Sequence, residues 1–231
     1  MATRLYLTNG SGFDPNITPG FDAGWQESGS AVRRLMVPYL LSDALTTTAV
    51  GTTTPGNTTL HRQYVSPPME SGNAITTGST FEAQIMGLES AVNDNIINRV
   101  RCVKVISRDG GTVRATLIAI GNATSVVEWN TSLRNLRFFN TTASAANYTT
   151  VAGDRLLAEF GSDDSAGASI SGSMRWGADA SGTGDLGLNE TDTTTTLRPW
   201  LEISNNIVWE ARPQRRDHSN RVLVAVSGSR W

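Results

Sequence analysis

The 231-residue chain is poor in the residues that most catalytic and cross-linking chemistry requires. It has one cysteine, Cys102, so no disulfide can form within the chain. It has one lysine, Lys104, in an apolar stretch, which excludes the Gly-x-x-x-x-Gly-Lys loop that holds nucleotide phosphates. No apolar run approaches the length that crosses a bilayer. Membrane insertion and nucleotide hydrolysis are therefore not expected.

Catalytic constellations are also missing from the sequence. The chain contains no His-Glu-x-x-His, no Cys-x-x-Cys and no Gly-x-Ser-x-Gly, and His61 and His218 are its only imidazoles. We predict that His61 is exposed or hydrogen-bonded and that His218 is solvated. A pair of carboxylates could still serve a glycosidase, but no pair stands out. The sequence thus predicts no enzyme, with no catalytic residues and no cofactor.

Two acidic stretches could in principle hold a cation. Asp163 and Asp164 follow a predicted strand, and residues 179–185 place two aspartates around glycines. Calcium needs six to eight oxygen ligands, and the second stretch lacks the closing glutamate of a helix-loop-helix site. Both stretches are interpreted as Gly/Asp turns, and no metal site is predicted.

The charge balance does not favour nucleic acid or acidic membranes as partners. The formal net charge is −2, and charged residues make up 17% of the chain. The first four residues, Met-Ala-Thr-Arg, have none of the features of a secretory signal. If the protein acts outside a cell, we expect lysis and the release of an assembled particle to carry it there.

Short apolar segments separated by Gly, Asp, Asn and Ser predict an antiparallel sandwich or barrel. Threonine tracts favour the same class, because a branched Cβ suits a pleated surface better than a helix. The best hairpin signal is Ser-Arg-Asp-Gly-Gly at residues 107–111, between two β-branched runs. The predicted strands are residues 4–7, 32–40, 60–65, 81–86, 100–106, 113–120, 133–139, 155–160, 170–176, 200–203 and 222–226.

Helical signals are weak, with single turns expected at residues 42–45 and 89–97 and no internal repeat. We therefore predict an all-β, jelly-roll-like antiparallel sandwich over residues 1–204, with little helix. Residues 205–231 are predicted to be a C-terminal extension, an arm with a cationic linker and a final strand. That strand either completes the chain's own sheet or adds to an open sheet edge of a neighbouring subunit.

Six tryptophans are the remaining feature. Trp176 and Trp200 lie in strand patterns and are predicted to be core residues. Trp25, Trp129 and Trp209 lie at strand ends or in loops, where exposure would allow stacking on sugar rings, although packing is the commoner role. A carbohydrate-binding module for host surface glycans is therefore the alternative function, with Trp25, Trp129 and Asp163 as its candidate contacts.

Three segments resemble a family of tailed-bacteriophage virion-associated proteins of about 200 residues. They are Phe-Asp-Ala-Gly-Trp at 21–25, the FDAGW segment; Gly-Asp-Arg-Leu-Leu-Ala-Glu-Phe-Gly at 153–161, the GDRL segment; and Leu-Arg-Pro-Trp-Leu-Glu-Ile-Ser at 197–204, the Pro-Trp segment. Their order and spacing cover most of residues 1–204. The resemblance implies a structural or accessory virion protein, and it carries no catalytic residue.

Together these patterns predict a non-enzymatic protein on the exterior of a phage particle, as capsid decoration or as a tail, neck or fibre component. Its expected partners are major capsid or tail proteins and further copies of itself, with host glycans under the alternative. Assembly would take place in the bacterial host cytoplasm. Arginine and tryptophan are common interface anchors, which makes five residues of the C-terminal region the candidate contacts: Trp209, Arg212, Arg215, Arg216 and Trp231.

Overall fold

Extended segments rich in Thr, Val, Ile and aromatic residues form all of the regular structure described. The computed structural model describes residues 1–10, 15–28, 31–52, 54, 56–91, 98–122, 129–163 and 171–210. In these ranges no helix occurs, and the all-β prediction is confirmed. The strands are β1 (Thr3–Leu7), β2 (Val32–Val37), β3 (Thr46–Thr52), β4 (Thr58–Val65), β5 (Ala74–Ile75), β6 (Thr80–Glu89), β7 (Asn98–Ile106), β8 (Val113–Asn122), β9 (Arg134–Ala143), β10 (Tyr148–Thr149), β11 (Arg155–Asp163), β12 (Ser171–Trp176), β13 (Gly184–Asp185), β14 (Leu197–Arg198) and β15 (Trp200–Ile203).

Eleven strands form one sheet: ten follow the hydrogen-bonded path β3-β12-β6-β15-β1-β2-β4-β11-β7-β8, and β9 pairs with β6 beside this path. The first half of β6 pairs with β15 and its last residues pair with β12. Strand β2 changes partners along its length, because its start runs parallel to β4 while Met36 and Val37 pair with β1. The pairing is antiparallel apart from β2–β4 and the short pair β13–β14.

The path folds back on itself into a sandwich with one large core. Tyr64 of β4 meets Trp176 of β12 at a ring-centroid distance of 5.6 Å. Phe160 of β11 meets Phe138 and Phe139 of β9 at 5.4 and 6.1 Å. These aromatic pairs join strands that are distant along the path, so the two layers pack face to face.

Each predicted strand inside the described ranges coincides with an observed strand, whereas 222–226 lies outside them. Strand β3 was missed, because its seven residues include four threonines and a glycine and show no apolar alternation. The predicted helical turn at 42–45 is wrong. The Asp43 carboxylate instead accepts the backbone N–H groups of Asn9 and Gly10 at 2.6 and 2.8 Å. Of the helical turn predicted at 89–97, Glu89 ends β6, residues 90 and 91 are not helical, and residues 92–97 lie outside the described residues.

The predicted hairpin between β7 and β8 is confirmed. The Ser107 N–H donates to the Thr112 carbonyl at 2.8 Å, and Gly110 has a φ of 77°. The Asp109 carboxylate accepts the Ser107 hydroxyl at 2.5 Å and the Gly111 N–H at 3.0 Å. Glycine supplies the left-handed conformation that the turn requires, and the aspartate holds the loop closed.

Residues 205–210 contact the sandwich. Ile207 is buried in the main core, and its N–H donates to the Thr3 hydroxyl at 2.8 Å. Trp209 forms a bridge with Met69, and the Glu210 N–H donates to the Pro68 carbonyl at 2.9 Å. The division into a domain (1–204) and an arm (205–231) stays a prediction. The first six residues of the arm, 205–210, pack against the domain.

The described residues contain no helix long and apolar enough to cross a membrane.

Candidate functional site

A buried carboxylate, Glu159 of β11, organises the outer side of the sheet formed by β4, β11 and β7. Its side chain is inaccessible to solvent. It accepts the Trp25 indole N–H at 2.6 Å, the Gln63 amide at 2.8 Å and the Cys102 thiol at 3.2 Å. The Asp22 backbone N–H donates to it at 3.2 Å. A buried charge requires such a set of donors, since an unsatisfied one would cost several kcal/mol.

Trp25 also packs closely on the same strand. A Cβ at Gly161 would lie 2.6 Å from the Trp25 ring, so only glycine leaves room for the indole. Glu159 and Gly161 belong to the GDRL segment and Trp25 to the FDAGW segment. The structure therefore joins two of the three resemblance segments through hydrogen bonds from Trp25 and Asp22 to Glu159 and through one close packing contact.

An ion pair lies beside this carboxylate. The Lys104 ammonium of β7 stands 2.5 Å from the Asp22 carboxylate, and both side chains are mostly buried. Burial acts to raise the pKa of Asp22, but hydrogen bonds from Lys104 and the Gly24 N–H outweigh it, and the pKa lies below its ordinary value. Burial and the neighbouring Glu159 raise the pKa of the Cys102 thiol, which keeps it protonated and unreactive.

The Pro-Trp segment forms a second polar cluster on the other layer. The Asp185 carboxylate accepts Arg198 at 2.8 Å, Arg4 at 2.9 Å and the Tyr6 hydroxyl at 3.1 Å. The Arg4 guanidinium lies 4.0 Å from the centre of the Trp200 ring. These contacts fasten residues 184–198 to β1 and β15, and the role they indicate is structural.

His61 lies in the interior and not at a surface. Its Nε2 is 2.8 Å from the Ser162 hydroxyl. Burial lowers the pKa of His61 to about 4, so the ring is neutral at neutral pH. The prediction of a hydrogen-bonded histidine is confirmed and that of an exposed one is wrong. The pair lacks access for a substrate, since both side chains are buried.

One end of the sandwich combines exposed apolar and cationic side chains. We call it the hairpin-end surface and define it by Arg108, Val113, Arg114, Val151 and Val208. The three valines are each about half exposed. Large apolar side chains grouped at one end of a domain mark interaction sites more often than scattered ones do.

Hydrogen bonds show that these residues belong to one end. Arg114 lies 3.7 Å from the Asp154 carboxylate, which also accepts the Val151 N–H at 2.9 Å. The Thr150 N–H donates to the carbonyl of Asn73, whose side-chain amide donates to the Val208 carbonyl.

The chain leaves the described structure at this same end. Arg108 forms an ion pair with Glu210, the last described residue. A shallow depression of about 320 Å³ between Ser107, Arg108, Asp109, Thr112 and Arg114 lies beside it. Residues 211–231 therefore continue from a surface that already carries exposed valines and arginines.

The structure separates the residues that the sequence analysis grouped as sites. Trp25 is 8% exposed and Trp129 is 1% exposed, so the expectation that these rings are available for sugar stacking is wrong. Both rings gain more from packing, and Trp25 from its bond to Glu159, than from solvent contact. Asp163 closes β11 opposite Thr58 and Asn98. Trp176 and Trp200 are buried as predicted.

Of the candidate contacts in the C-terminal region, only Trp209 is described, and it packs partly buried against the main core. Arg212, Arg215, Arg216 and Trp231 lie outside the described residues. Their role in contacts stays a prediction.

The acidic stretch at 179–185 forms the predicted turn over residues 179–183, whereas Asp163 of the other stretch belongs to β11 and Asp164 lies outside the described residues. Asp179 accepts the Ser181 N–H and hydroxyl at 2.9 and 2.8 Å, and Asp185 is engaged with two arginines. In the described ranges no group of three or more His, Cys, Asp or Glu side chains could hold a metal ion.

Sequence reasoning missed the Glu159 cluster and the Lys104–Asp22 pair. One signal was available, because Glu159 is the lone charge in the apolar run 156–160, and a charge there needs buried partners. The partners themselves come from three separate segments, around residues 22–25, 63 and 102–104, which no local pattern connects.

No protein family and no curated protein matches the chain. Among solved structures, chains of infectious bursal disease virus match part of it. For strain Gt the identity is 11% and the TM-score 0.34, over 73% of this chain and 37% of the other. For strain Gx the corresponding values are 11%, 0.29, 73% and 37%. The VP2 subviral particle of the same virus gives 14% and 0.19, over 72% and 38%. The chain thus spans little more than a third of these virus proteins, and a likeness at these TM-scores assigns it neither family nor activity.

Proposed function

We propose that the protein is a non-enzymatic structural or accessory protein on the exterior of a tailed-bacteriophage particle. It would serve as capsid decoration or as a tail, neck or fibre component, and it would act by burying surface against neighbouring subunits. Its partners would be major capsid or tail proteins and further copies of itself. Assembly would take place in the bacterial host cytoplasm.

The observation that carries the proposal is the hairpin-end surface. Val113, Val151 and Val208 expose apolar area beside two arginines, at the point from which residues 211–231 continue. Arginine and apolar side chains in one patch are typical of an interface. The sequence that follows, residues 211–231, contains five more arginines and Trp231.

The resemblance segments support the same proposal through their roles. The FDAGW and GDRL segments bind each other through Trp25 and Glu159. The Pro-Trp segment holds residues 184–198 against the sheet through the Arg198–Asp185 ion pair. All three serve the framework of the sandwich, as expected of segments that characterise a structural protein.

No observation favours the glycan-binding alternative, because Trp25 and Trp129 are buried. It becomes the better account only if the protein proves to be absent from particles.

The first experiment measures the copy number of the protein in purified particles, by quantitative mass spectrometry against the major capsid protein. Hundreds of copies indicate head decoration or a repeating tail layer, and a dozen or so indicate a neck, baseplate or fibre component. Complete absence would refute the virion proposal.

The second experiment tests the surface itself. Val151→Asp with Val208→Asp places charge on the hairpin-end surface, and Leu188→Asp is the matched control, since Leu188 is also about half exposed. We expect the double variant to remain folded by far-UV circular dichroism and to lose incorporation into particles. Deletion of residues 211–231 should have the same effect. Normal incorporation of both variants would refute this surface as the contact.

A further inference from the structure

We propose that Lys104 and Asp22 form a covalent isopeptide bond between the Lys104 Nζ and the Asp22 Cγ. The inference is independent of the proposed function. It starts from an ion pair whose Nζ–Oδ2 distance is 2.5 Å, shorter than an ordinary charge-assisted hydrogen bond. The two side chains are 13% and 17% exposed, so little water reaches the reacting atoms.

The identity of the cation matters. Lys104 is the single lysine of the protein, and the other 18 of its 19 lysine and arginine residues are arginines. A guanidinium stays protonated and cannot attack a carboxyl carbon, whereas an ammonium becomes a nucleophilic amine when it loses one proton. The one amine-bearing side chain thus stands against a carboxylate.

The reaction needs no further reagent. The ammonium transfers a proton to the Asp22 carboxylate, and the neutral Nζ attacks Cγ. The Nζ–Cγ bond forms, the bond from Cγ to one carboxyl oxygen breaks, and that oxygen leaves with two protons as water. The product is a neutral amide, with no change of oxidation state.

Geometry supplies the driving force that the same groups lack in free solution. Well-oriented groups within one molecule reach effective concentrations of about 10⁵–10⁸ M, which favours condensation over hydrolysis. Because the lowered pKa of Asp22 makes the ion pair the resting form, the reaction proceeds through its minor neutral form and is slow.

Glu159 is the positioning residue of this pair. Its buried carboxylate accepts the Asp22 backbone N–H at 3.2 Å and the Trp25 indole at 2.6 Å, on either side of the Asp22 to Trp25 turn. Lys104 is held by β7, an interior strand paired with β11 and β8. The nucleophile and the acid therefore stand on fixed backbone, and the bond would tie the FDAGW segment to the sheet.

The test is the intact mass of the purified full-length protein, fresh and after extended incubation. We expect a mass lower than that of the sequence by one water molecule. Tryptic digestion should then yield a branched peptide that joins residues 5–33 to residues 102–108. A full mass in both samples, without the branched peptide, would overturn the proposal and leave an ion pair only.

Two variants distinguish the bond from other losses of water, such as ring closure at Asp109-Gly110. Lys104→Arg keeps the ion pair and cannot form the amide, so it should show the full mass. Asp22→Asn should lose ammonia in place of water if it reacts. A loss of water that persists in Lys104→Arg would assign it elsewhere and overturn the proposal.

Discussion

Replacing Trp25 by phenylalanine tests whether the hydrogen bond to the buried Glu159 stabilises the fold. The indole N–H lies 2.6 Å from a carboxylate that has no contact with solvent. A hydrogen bond to a charged group contributes about 1.5–3 kcal/mol to the free energy of unfolding, more than a neutral hydrogen bond does. A buried carboxylate that loses a donor cannot replace it with water.

Phenylalanine also removes buried area, so a second tryptophan is needed as control. Trp176 is also buried, at 0% exposure against 8% for Trp25, and its indole N–H has no partner among the described residues. Trp176→Phe therefore shows the cost of the smaller ring without the loss of a charged hydrogen bond. The free energy of unfolding should fall by about 1.5–3 kcal/mol more in Trp25→Phe than in Trp176→Phe.

The assay is guanidinium unfolding followed by far-UV circular dichroism, with thermal unfolding beside it. For a chain of this length one kcal/mol shifts the midpoint temperature by about 2–4 °C, so the two variants should differ by about 3–12 °C. A double-mutant cycle with Glu159→Gln should give a coupling energy of similar size. Equal losses in the two tryptophan variants, or a coupling near zero, would refute the stabilising role of this bond.

Three further predictions follow from buried contacts. Gly161→Ala should lower the free energy of unfolding by about 1–3 kcal/mol in denaturant titration, because its Cβ would meet the Thr59 backbone carbonyl and the buried Trp25 ring, whereas Gly20→Ala, with nothing within 4 Å, should be close to neutral. The pKa of His61 is about 4 when folded and 6.5 when unfolded, so the unfolded state binds more protons between these values and stability falls as pH drops from about 6.5 to 4. The loss totals about 3 kcal/mol, and a His61→Gln variant measured over the same range should lack it. Glu190→Gln removes the negative charge from the ion pair with the buried Arg99 guanidinium and should lower the free energy of unfolding by about 3 kcal/mol; an unchanged unfolding midpoint would contradict this.

Local chemistry accounts for the parts of the fold that could be predicted. The β7–β8 hairpin follows from Asp-Gly between two β-branched runs, and the burial of Trp176 follows from its strand pattern. These signals act over a few residues, so sequence alone reveals them. Strand β3 escaped prediction, because its threonines pair with β12 over a separation of more than a hundred residues.

The candidate sites show the same limit. Trp25 follows a glycine in a polar stretch, which favours exposure, yet Glu159 lies 134 positions further along the chain and supplies a buried acceptor for the indole. The exposure of the valines on the hairpin-end surface could not be predicted, because the sequence around a valine does not show whether its side chain is exposed or buried.

The sequence by itself determined the class of the protein: all-β, without a disulfide inside the chain, and without a recognisable catalytic motif. These properties depend on composition and on patterns a few residues long. Only the tertiary structure decided which charges are buried, that Lys104 faces Asp22, and that Arg108, Val151 and Val208 share one end of the sandwich. Those facts depend on which distant strands pair, and pairing is set by the sum of many weak contacts over the whole core.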